Sequence, residues 1–218
     1  KTIGGGLQSA GPFSVSSRQS TVYVVPEEES ADLDLAEERV SQVFGVVGYV
    51  RAGVCEKDLD AICARAASYL EEPLEEASTF KVECKRSDKK FPYKSPEISA
   101  EVGHALLERF PHLQVDVHNP DLTVRVEVRE RYAFVHGEVK PGAGGIPVGT
   151  GGKAAVLISG GLDSPVAAWR MARRGVELTA VHFASPPYTS ELAREKVRRL
   201  LRRVARYAGR IKFITVNF

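Results

Sequence analysis

The sequence predicts an α+β chain, with a ferredoxin-like unit and a second α+β unit, that closes on the first part of an α/β, Rossmann-like parallel sheet. Three observations carry that expectation. Strand and helix periods alternate over 20–76, a second such set runs over 77–145, and strand, helix, strand, helix, strand follow over 146–218. Apolar residues at every second position mark half-buried strands, and spacings of three and four mark helix faces. Strands that alternate with helices call for parallel pairing and right-handed crossovers.

Each element follows in order. Residues 1–19 are Gly/Ser-rich and aperiodic, and read as a flexible lead-in. STVYVV (20–25) is a short strand, and after the acidic loop PEEESADLDL comes a helix over 35–43, stopped by Gly45. VVGYVRAGV reads as one strand. DLDAICARAASYLEE reads as an amphipathic helix with Leu59, Ile62, Cys63, Ala66 and Leu70 on one face. Strand, helix, strand, helix in one stretch is what assigns 20–76 to a partial ferredoxin-like unit.

The pattern restarts at 77. STFKVECKRS alternates Phe80, Val82 and Cys84 as a strand. SPEISAEVGHALLERF is a helix with Ser95 as its N-cap, Pro96 at the first helical position, and Ile98, Val102 and Leu106 on one face. DLTVRVEVRE and RYAFVHGEV supply two more strands, and PGAGGIPVGTGGK reads as a glycine-rich connector. Beyond it AAVLI reads as a fully buried strand, PVAAWRMARR as a helix stopped by Gly175, and VELTAVHF as a second strand. SELAREKVRRLLRRVARYA is a long helix closed by Gly209, and RIKFITV is the third strand. Doubly wound sheets usually have five strands or more, so this last unit reads as a fragment of one.

Composition narrows the class. A hydrophobic fraction of 43% is ordinary for a globular protein, and no apolar run nears the roughly 18 residues of a membrane span. The N-terminus lacks an apolar signal core, and the expected location is cytoplasmic. Three cysteines (Cys55, Cys63, Cys84) without a C-x-x-C pair argue against both a disulfide framework and a zinc knuckle, and read as buried, inert thiols. The net charge of +2 hides an asymmetry: residues 1–80 carry 6 basic and 14 acidic side chains, 81–149 carry 11 and 10, and 150–218 carry 13 and 4. The basic end, not the acidic start, is the candidate for a nucleic-acid contact.

The chemistry gathers at KAAVLISGGLDSPVAAW, 153–169. A strand that turns into a helix exposes the helix's first N–H groups, which have no intrahelical partner and favour an anion. Gly160 and Gly161 remove Cβ atoms from that turn and allow positive φ, so that successive amides can converge. Ser159 and Ser164 add hydroxyls, and Pro165 in the first helical turn sacrifices no needed donor. A phosphate is the ligand these residues suit; a tight turn whose glycines serve packing alone is the alternative. The loop is not a Walker A, because Pro147 stands where the first glycine belongs and Ala154 where Ser/Thr belongs. It is not the dinucleotide fingerprint either, since Gly142-x-Gly144 is followed by Pro147.

S-G-G-L-D-S resembles the S-G-G-x-D-S motif of the PP-loop ATP pyrophosphatases. With its flanks, GAGGIPVGTGGKAAVLISGGLDSPVAAW and GVELTAVHFASPPYTSELAREKV, it resembles the ThiI-type tRNA 4-thiouridine synthetases. KRSDKKFPYKSPEISAEVG and VDVHNPDLTVRVEVRE resemble that family's THUMP domain. The resemblance implies a lead-in at 1–19, a ferredoxin-like domain at 20–76, THUMP at 77–145 and part of a PP-loop domain at 146–218. It implies ATP with Mg2+, no resident metal, and adenylation of a uridine at position 8 of tRNA, with a link to thiamine thiazole synthesis. Leu157, Ile158, Ser159, Gly160, Gly161, Leu162, Asp163, Ser164, His182 and Phe183 are the ATP-binding positions it carries over, with Asp163 placing nucleotide or metal. Its partners are tRNA and a persulfide donor such as a cysteine desulfurase, and a homodimer is compatible with it. The family's catalytic cysteine, in the second half of the PP-loop domain, has no counterpart in these residues.

Lys85, Arg86, Lys89, Lys90 and Lys94 cluster with Phe91 and Tyr93 before a helix, as cations and stacking faces for RNA. On composition alone a solvated loop is the commoner outcome; the THUMP resemblance reverses those odds. His118-Asn119-Pro120-Asp121 reads as a structural turn. The helix over 190–208 is rich in arginine, and its polar side reads equally as a solvated face or as an RNA contact. Two rivals stand beside the leading assignment. One is a non-catalytic tRNA-binding protein with a vestigial ATP site; the other is a THUMP-bearing methyltransferase, which S-G-G-L-D-S fits poorly.

Overall fold

The computed structural model describes residues 2–18, 20–185 and 188–217; Lys1, Gln19, Pro186, Pro187 and Phe218, which fall in segments assigned above, lie outside the described residues. The chain runs α1 (Thr2–Leu7), β1 (Phe13–Arg18), β2 (Thr21–Pro26), α2 (Leu33–Ser41), β3 (Gly48–Tyr49), β4 (Gly53–Cys55), α3 (Leu59–Tyr69), α4 (Glu71–Glu76), β5 (Thr79–Arg86) and α5 (Ser95–Arg109). It continues β6 (Gln114–Val115), β7 (Leu122–Val128), β8 (Ala133–His136), β9 (Lys140–Pro141), β10 (Lys153–Leu157), α6 (Asp163–Arg173), β11 (Glu177–Ala184), α7 (Glu191–Ala208) and β12 (Lys212–Asn217). Two compact units result: Lys1–Tyr49 with Pro141–Phe218, and Val50–Lys140.

In the second unit the strand order is β4-β8-β7-β5-β6, a mixed sheet with α3 and α5 on one face. Along β7 the inward positions Val124, Val126 and Val128 are buried, and they meet Ile62, Ala66, Leu70 and Leu74 as well as Ile98, Val102 and Leu106. The sequence assigns β4, α3 and α4 to the unit before position 77. The structure places them with the later strands, because the apolar faces of α3 and α5 share one core. VVGYVRAGV is likewise not one strand but two, and β3 and β4 join different sheets. Helix α5 starts at Ser95 with Lys94 as its N-cap, one residue earlier than expected, and Glu97 accepts a 2.6 Å hydrogen bond from the Lys94 amide. The turn before β7 is structural, as expected: Asp116 accepts from the amides of His118 and Asn119, and Asp121 accepts from those of Ser78 and Thr79. Burial pushes the thiols of Cys55, Cys63 and Cys84 up, away from the nucleophilic thiolate.

The other unit corrects two expectations. The lead-in is not aperiodic coil: α1 packs with α2 through Leu7, Ala10 and Ala36, and β1 pairs antiparallel with β2 from Phe13↔Pro26 to Arg18↔Thr21. The glycine-rich connector is also ordered. Gly142 donates to the Val47 carbonyl, Gly144 to Val46, Ile146 to Arg173 and Gly149 to Gly175. A Cβ on Gly142 would stand 2.3 Å from the Val46 oxygen, and one on Gly145, at φ +77°, would stand 2.5 Å from the Arg173 oxygen. These glycines are there so that backbones can touch. Phe44 joins the core of this unit, 2% exposed between Trp169 and Tyr207 at ring distances of 5.3 and 5.6 Å.

Strands β10, β11 and β12 form a parallel sheet in sequential order, with Lys153↔Glu177 to Leu157↔Val181 and Thr179↔Lys212 to Ala184↔Asn217 in register. Ala168 and Ala172 of α6 and Val204 and Ala208 of α7 share a core with Leu178, so both helices cover one face. Strand β10 is therefore not fully buried: Ala155 and Leu157 point to the face that neither helix covers, and Leu157 is 66% exposed.

Two outcomes follow from this packing. Gly145→Ala meets both a left-handed φ and a backbone oxygen, and should lower stability in urea titration by about 2–3 kcal/mol, whereas Gly4→Ala, in open helical space, should not destabilise. On the polar face of β7, the His136 imidazole and, after it, the Arg129 guanidinium hold the Glu127 carboxyl down at about 2, against the raising effect of burial. The folded value lies below the unfolded one, so the stabilisation is complete above the ordinary Glu range and is lost as pH falls from about 4.5 toward 2. Glu127→Gln should flatten that acid limb in denaturant titrations across the same pH window.

Candidate nucleotide-binding loop

Strand β10 delivers the chain to the loop, and its last hydrogen bond fixes where the loop begins. The Ile158 amide donates to the Val181 carbonyl at 2.8 Å, and the Ile158 carbonyl accepts from His182 Nδ1 at 2.9 Å. A carbonyl can only accept, so the Nδ1 proton is present and the neutral ring carries its lone pair on Nε2. His182 is 8% exposed, stacks on Phe213 at 6.3 Å, and its Nε2 has no partner among the described residues. Positions 157–158 and 182–183 thus lie side by side at the carboxyl ends of neighbouring parallel strands, where open α/β sheets bind ligands. They do not share a face: Ile158 and His182 are buried beneath the helices, and Leu157 and Phe183 stand on the uncovered side.

Within the turn the two serines brace each other. Ser164 Oγ accepts from the Ser159 amide at 3.0 Å and lies 3.2 Å from Ser159 Oγ, which in turn accepts from the Gly161 amide at 3.3 Å. Among the described residues, the amides of Gly160, Leu162 and Asp163 have no protein partner. Asp163 opens α6 and is exposed, as are Gly161 and Leu162.

The glycine pair is explained by neither of the usual protein-internal reasons. Neither Gly160 nor Gly161 has a positive φ, contrary to the left-handed turn the sequence allows. A Cβ on Gly160 would meet only Lys196 Cδ at 3.6 Å, and one on Gly161 only Ser159 Oγ at 3.5 Å, both ordinary contacts. The contrast with Gly142 and Gly145 is direct, since there the protein itself fills the space. At 160 and 161 the space opens outward, beside unpaired N–H groups at a helix N-terminus, which is a cradle for an anion. Lys196, on α7, is exposed and has no carboxylate partner among the described residues, and its stem lies against this cradle. The sequence shows it only as one more basic residue on a helix. The described residues contain no His/Cys/Asp/Glu group that could hold a metal on its own.

In the unit Val50–Lys140, the basic loop divides. Lys85, Lys89, Lys90 and Lys94 are exposed. Arg86 instead donates to the carbonyls of Phe91 and Tyr93 at 2.8 and 2.9 Å, folding the loop, and Phe91 is 7% exposed in the core. A buried ring has no face for a base; Tyr93, 5.7 Å from it and exposed, is the aromatic that does. Asp88 pairs with Lys57 at 2.5 Å, and that bond, with the Lys90 amide, holds its carboxyl below the usual range.

If Gly160 is kept for something outside the protein, Gly160→Ala should change the free energy of unfolding in urea titration by less than about 0.5 kcal/mol, the range of ordinary surface changes. A loss comparable to that of Gly145→Ala would return the glycine to packing.

Two family models match the chain. Residues 56–136 match the THUMP domain model, and 149–218 match that of the thiamine biosynthesis protein ThiI. The chain is 46% identical over all 218 residues to a probable tRNA sulfurtransferase of Thermoanaerobacter pseudethanolicus, and 42% identical over 212 residues to one of Staphylococcus aureus. It spans about half the length of the curated relatives it matches, 56% and 52% here. A crystal structure of a 4-thiouridine synthetase in complex with RNA and bound ATP superposes with a TM-score of 0.87 at 34% identity, covering 99% of this chain and 56% of the other. That of PH1313 from Pyrococcus horikoshii Ot3 gives 0.85 at 27% identity, over 99% and 69%.

Proposed function

We propose that this chain, which resembles the tRNA sulfurtransferases along its whole length and carries their THUMP and ThiI segments, is the RNA-binding and ATP-binding portion of an enzyme that makes 4-thiouridine in tRNA. The observation that carries the reading is the outward-facing space at Gly160 and Gly161 beside unpaired amides, at the end of a parallel strand. The solved relative with bound ATP and RNA supports the choice of both ligands.

In this reading the amides of Gly160, Leu162 and Asp163 hold the β- and γ-phosphates of ATP, and the braced Ser159–Ser164 pair turns its hydroxyls to the same oxygens. Asp163 would hold the Mg2+ that accompanies the nucleotide, and the ion would offset charge on the phosphates. The backbone at Leu157–Ile158 and His182–Phe183 receives the base, and the buried His182 keeps the Ile158 carbonyl in place while it does so. Uridine O4 attacks the α-phosphorus as N3 loses its proton, and pyrophosphate leaves toward amides without a protein partner, so the growing negative charge meets donors that need no reorganisation. The outer sulfur of a persulfide donor outside these residues then bonds to C4 as AMP leaves with O4, and a second thiol, also outside these residues, cleaves the S–S bond and is left as a disulfide. The exposed lysines 85, 89, 90 and 94 with Tyr93 hold RNA backbone and a base. Cytoplasmic location, a cysteine desulfurase as donor, a link to thiamine thiazole sulfur and a homodimer accord with this reading.

Calorimetry of the chain with Mg·ATP tests the loop. Binding is expected, with Gly160→Ala or Asp163→Ala weakening it tenfold or more, about 1.4 kcal/mol, while tRNA binding persists. Absence of ATP binding by a chain that still binds tRNA would favour the non-catalytic RNA-binding alternative instead.

A further inference from the structure

Helix α7 sorts its charges. Glu191 and Glu195 pair with Arg194, Arg198 and Arg202, with Arg198 and Arg202 donating at 2.9 and 3.0 Å. Lys196, Arg199, Arg203 and Arg206 have no ion-pair or hydrogen-bond partner among the described residues, and all four are exposed. Their spacing of three, four and three puts them on one face of the helix, turned away from the buried Val197, Leu201, Val204 and Ala208. Like charges at such spacing oppose helix formation by a few tenths of a kcal/mol per pair. The two glutamates of the helix pair instead with Arg194, Arg198 and Arg202, and Glu195 forms no ion pair with Arg199 four residues on. The stripe runs about 15 Å along the helix, and its N-terminal member, Lys196, is the residue whose stem lies against Gly160.

We infer that this face of α7 is a docking track for the RNA phosphate backbone that leads to the nucleotide loop. The inference rests on the proposed function and adds to it a second RNA surface, in the unit that holds the loop. Charge complementarity selects the occupant: four uncompensated cations in a row, three of them arginines that bind phosphate with a planar fork, meet a regularly spaced polyanion. Lys196 stands where the track meets the loop, so that a strand lying on the arginines brings its nucleotides to the phosphates held at 160–163.

The test is the salt dependence of tRNA binding by the chain. Each phosphate contact contributes about 0.7–0.9 to the slope of log K against log salt. Replacing Arg199, Arg203 and Arg206 together with Gln should therefore reduce that slope by about two to three and weaken binding at low salt at least tenfold. Arg203→Gln alone should reduce it by somewhat under one, which keeps the test valid should the triple variant fold poorly. Arg198→Gln with Arg202→Gln, on the ion-paired face, should leave the slope unchanged, and Mg·ATP binding should persist in all three. An unchanged slope in the Arg203 and triple variants, with tRNA still bound, overturns the track and leaves the RNA reading standing. Failure of the unmodified chain to bind tRNA removes that reading and the track with it. Binding to phosphatidylglycerol vesicles that the triple variant loses, without a change in tRNA slope, would assign the face to a lipid surface and also overturn the inference.

Discussion

The backbone of one residue governs the loop. Ile158 is held on both sides by the neighbouring strand, its amide by the Val181 carbonyl and its carbonyl by the His182 ring. Where the chain leaves the sheet, and hence the direction of the next five residues, is set by those two bonds. The serine brace then closes the turn from within, and α6 begins at Asp163 with its first amides directed out of the protein. A histidine at this place costs more than an aliphatic residue would, since its second nitrogen is buried without a partner. The bond to Ile158 is what the ring gives in return. The glycines add to this only the Gly161 amide, which donates to Ser159 Oγ.

That last point separates two uses of the same residue. At Gly142, Gly145 and Gly151, glycine lets main chain press on main chain, and an added methyl would collide with a carbonyl oxygen. At 160–161 an added methyl would meet nothing it could not tolerate inside the protein. Ordinary counting of glycines cannot tell these apart, because in sequence both look like loosened backbone. Only the neighbours across space do: the stretch read as a connector is packed, and the pair that is free to adopt positive φ does not use it.

What was legible in the residues was local. Strand β10, the turn and α6 follow from an apolar run meeting S-G-G-L-D-S, and α7 from a long run closed by Gly209 with apolar residues at helical spacing, because each of these signals lies within a few residues of what it specifies. The partition of 50–76 was not legible, since Ile62, Ala66 and Leu70 show an apolar face without showing what covers it. Phe91 and Arg86 were misplaced for a related reason: basic and aromatic residues side by side suit a nucleic acid, yet one ring is core and one guanidinium ties two carbonyls of its own loop. Strand β10 was expected to be covered on both faces because its residues are apolar on both; helices lie on one. TIGGGL forms α1 against its composition, with tertiary contacts through Leu7 overriding the helix cost of glycine.

The discontinuity of the first unit also sets an order of assembly. Residues 50–140 have their own core and can fold as soon as they emerge from the ribosome. Phe44 cannot be buried so early, because Trp169 and Tyr207, which enclose it, are translated well over a hundred residues later. At about 5–20 residues per second, the segment around Phe44 spends several seconds with its aromatic ring in water, and the nascent chain carries an unfinished half on either side of a finished one.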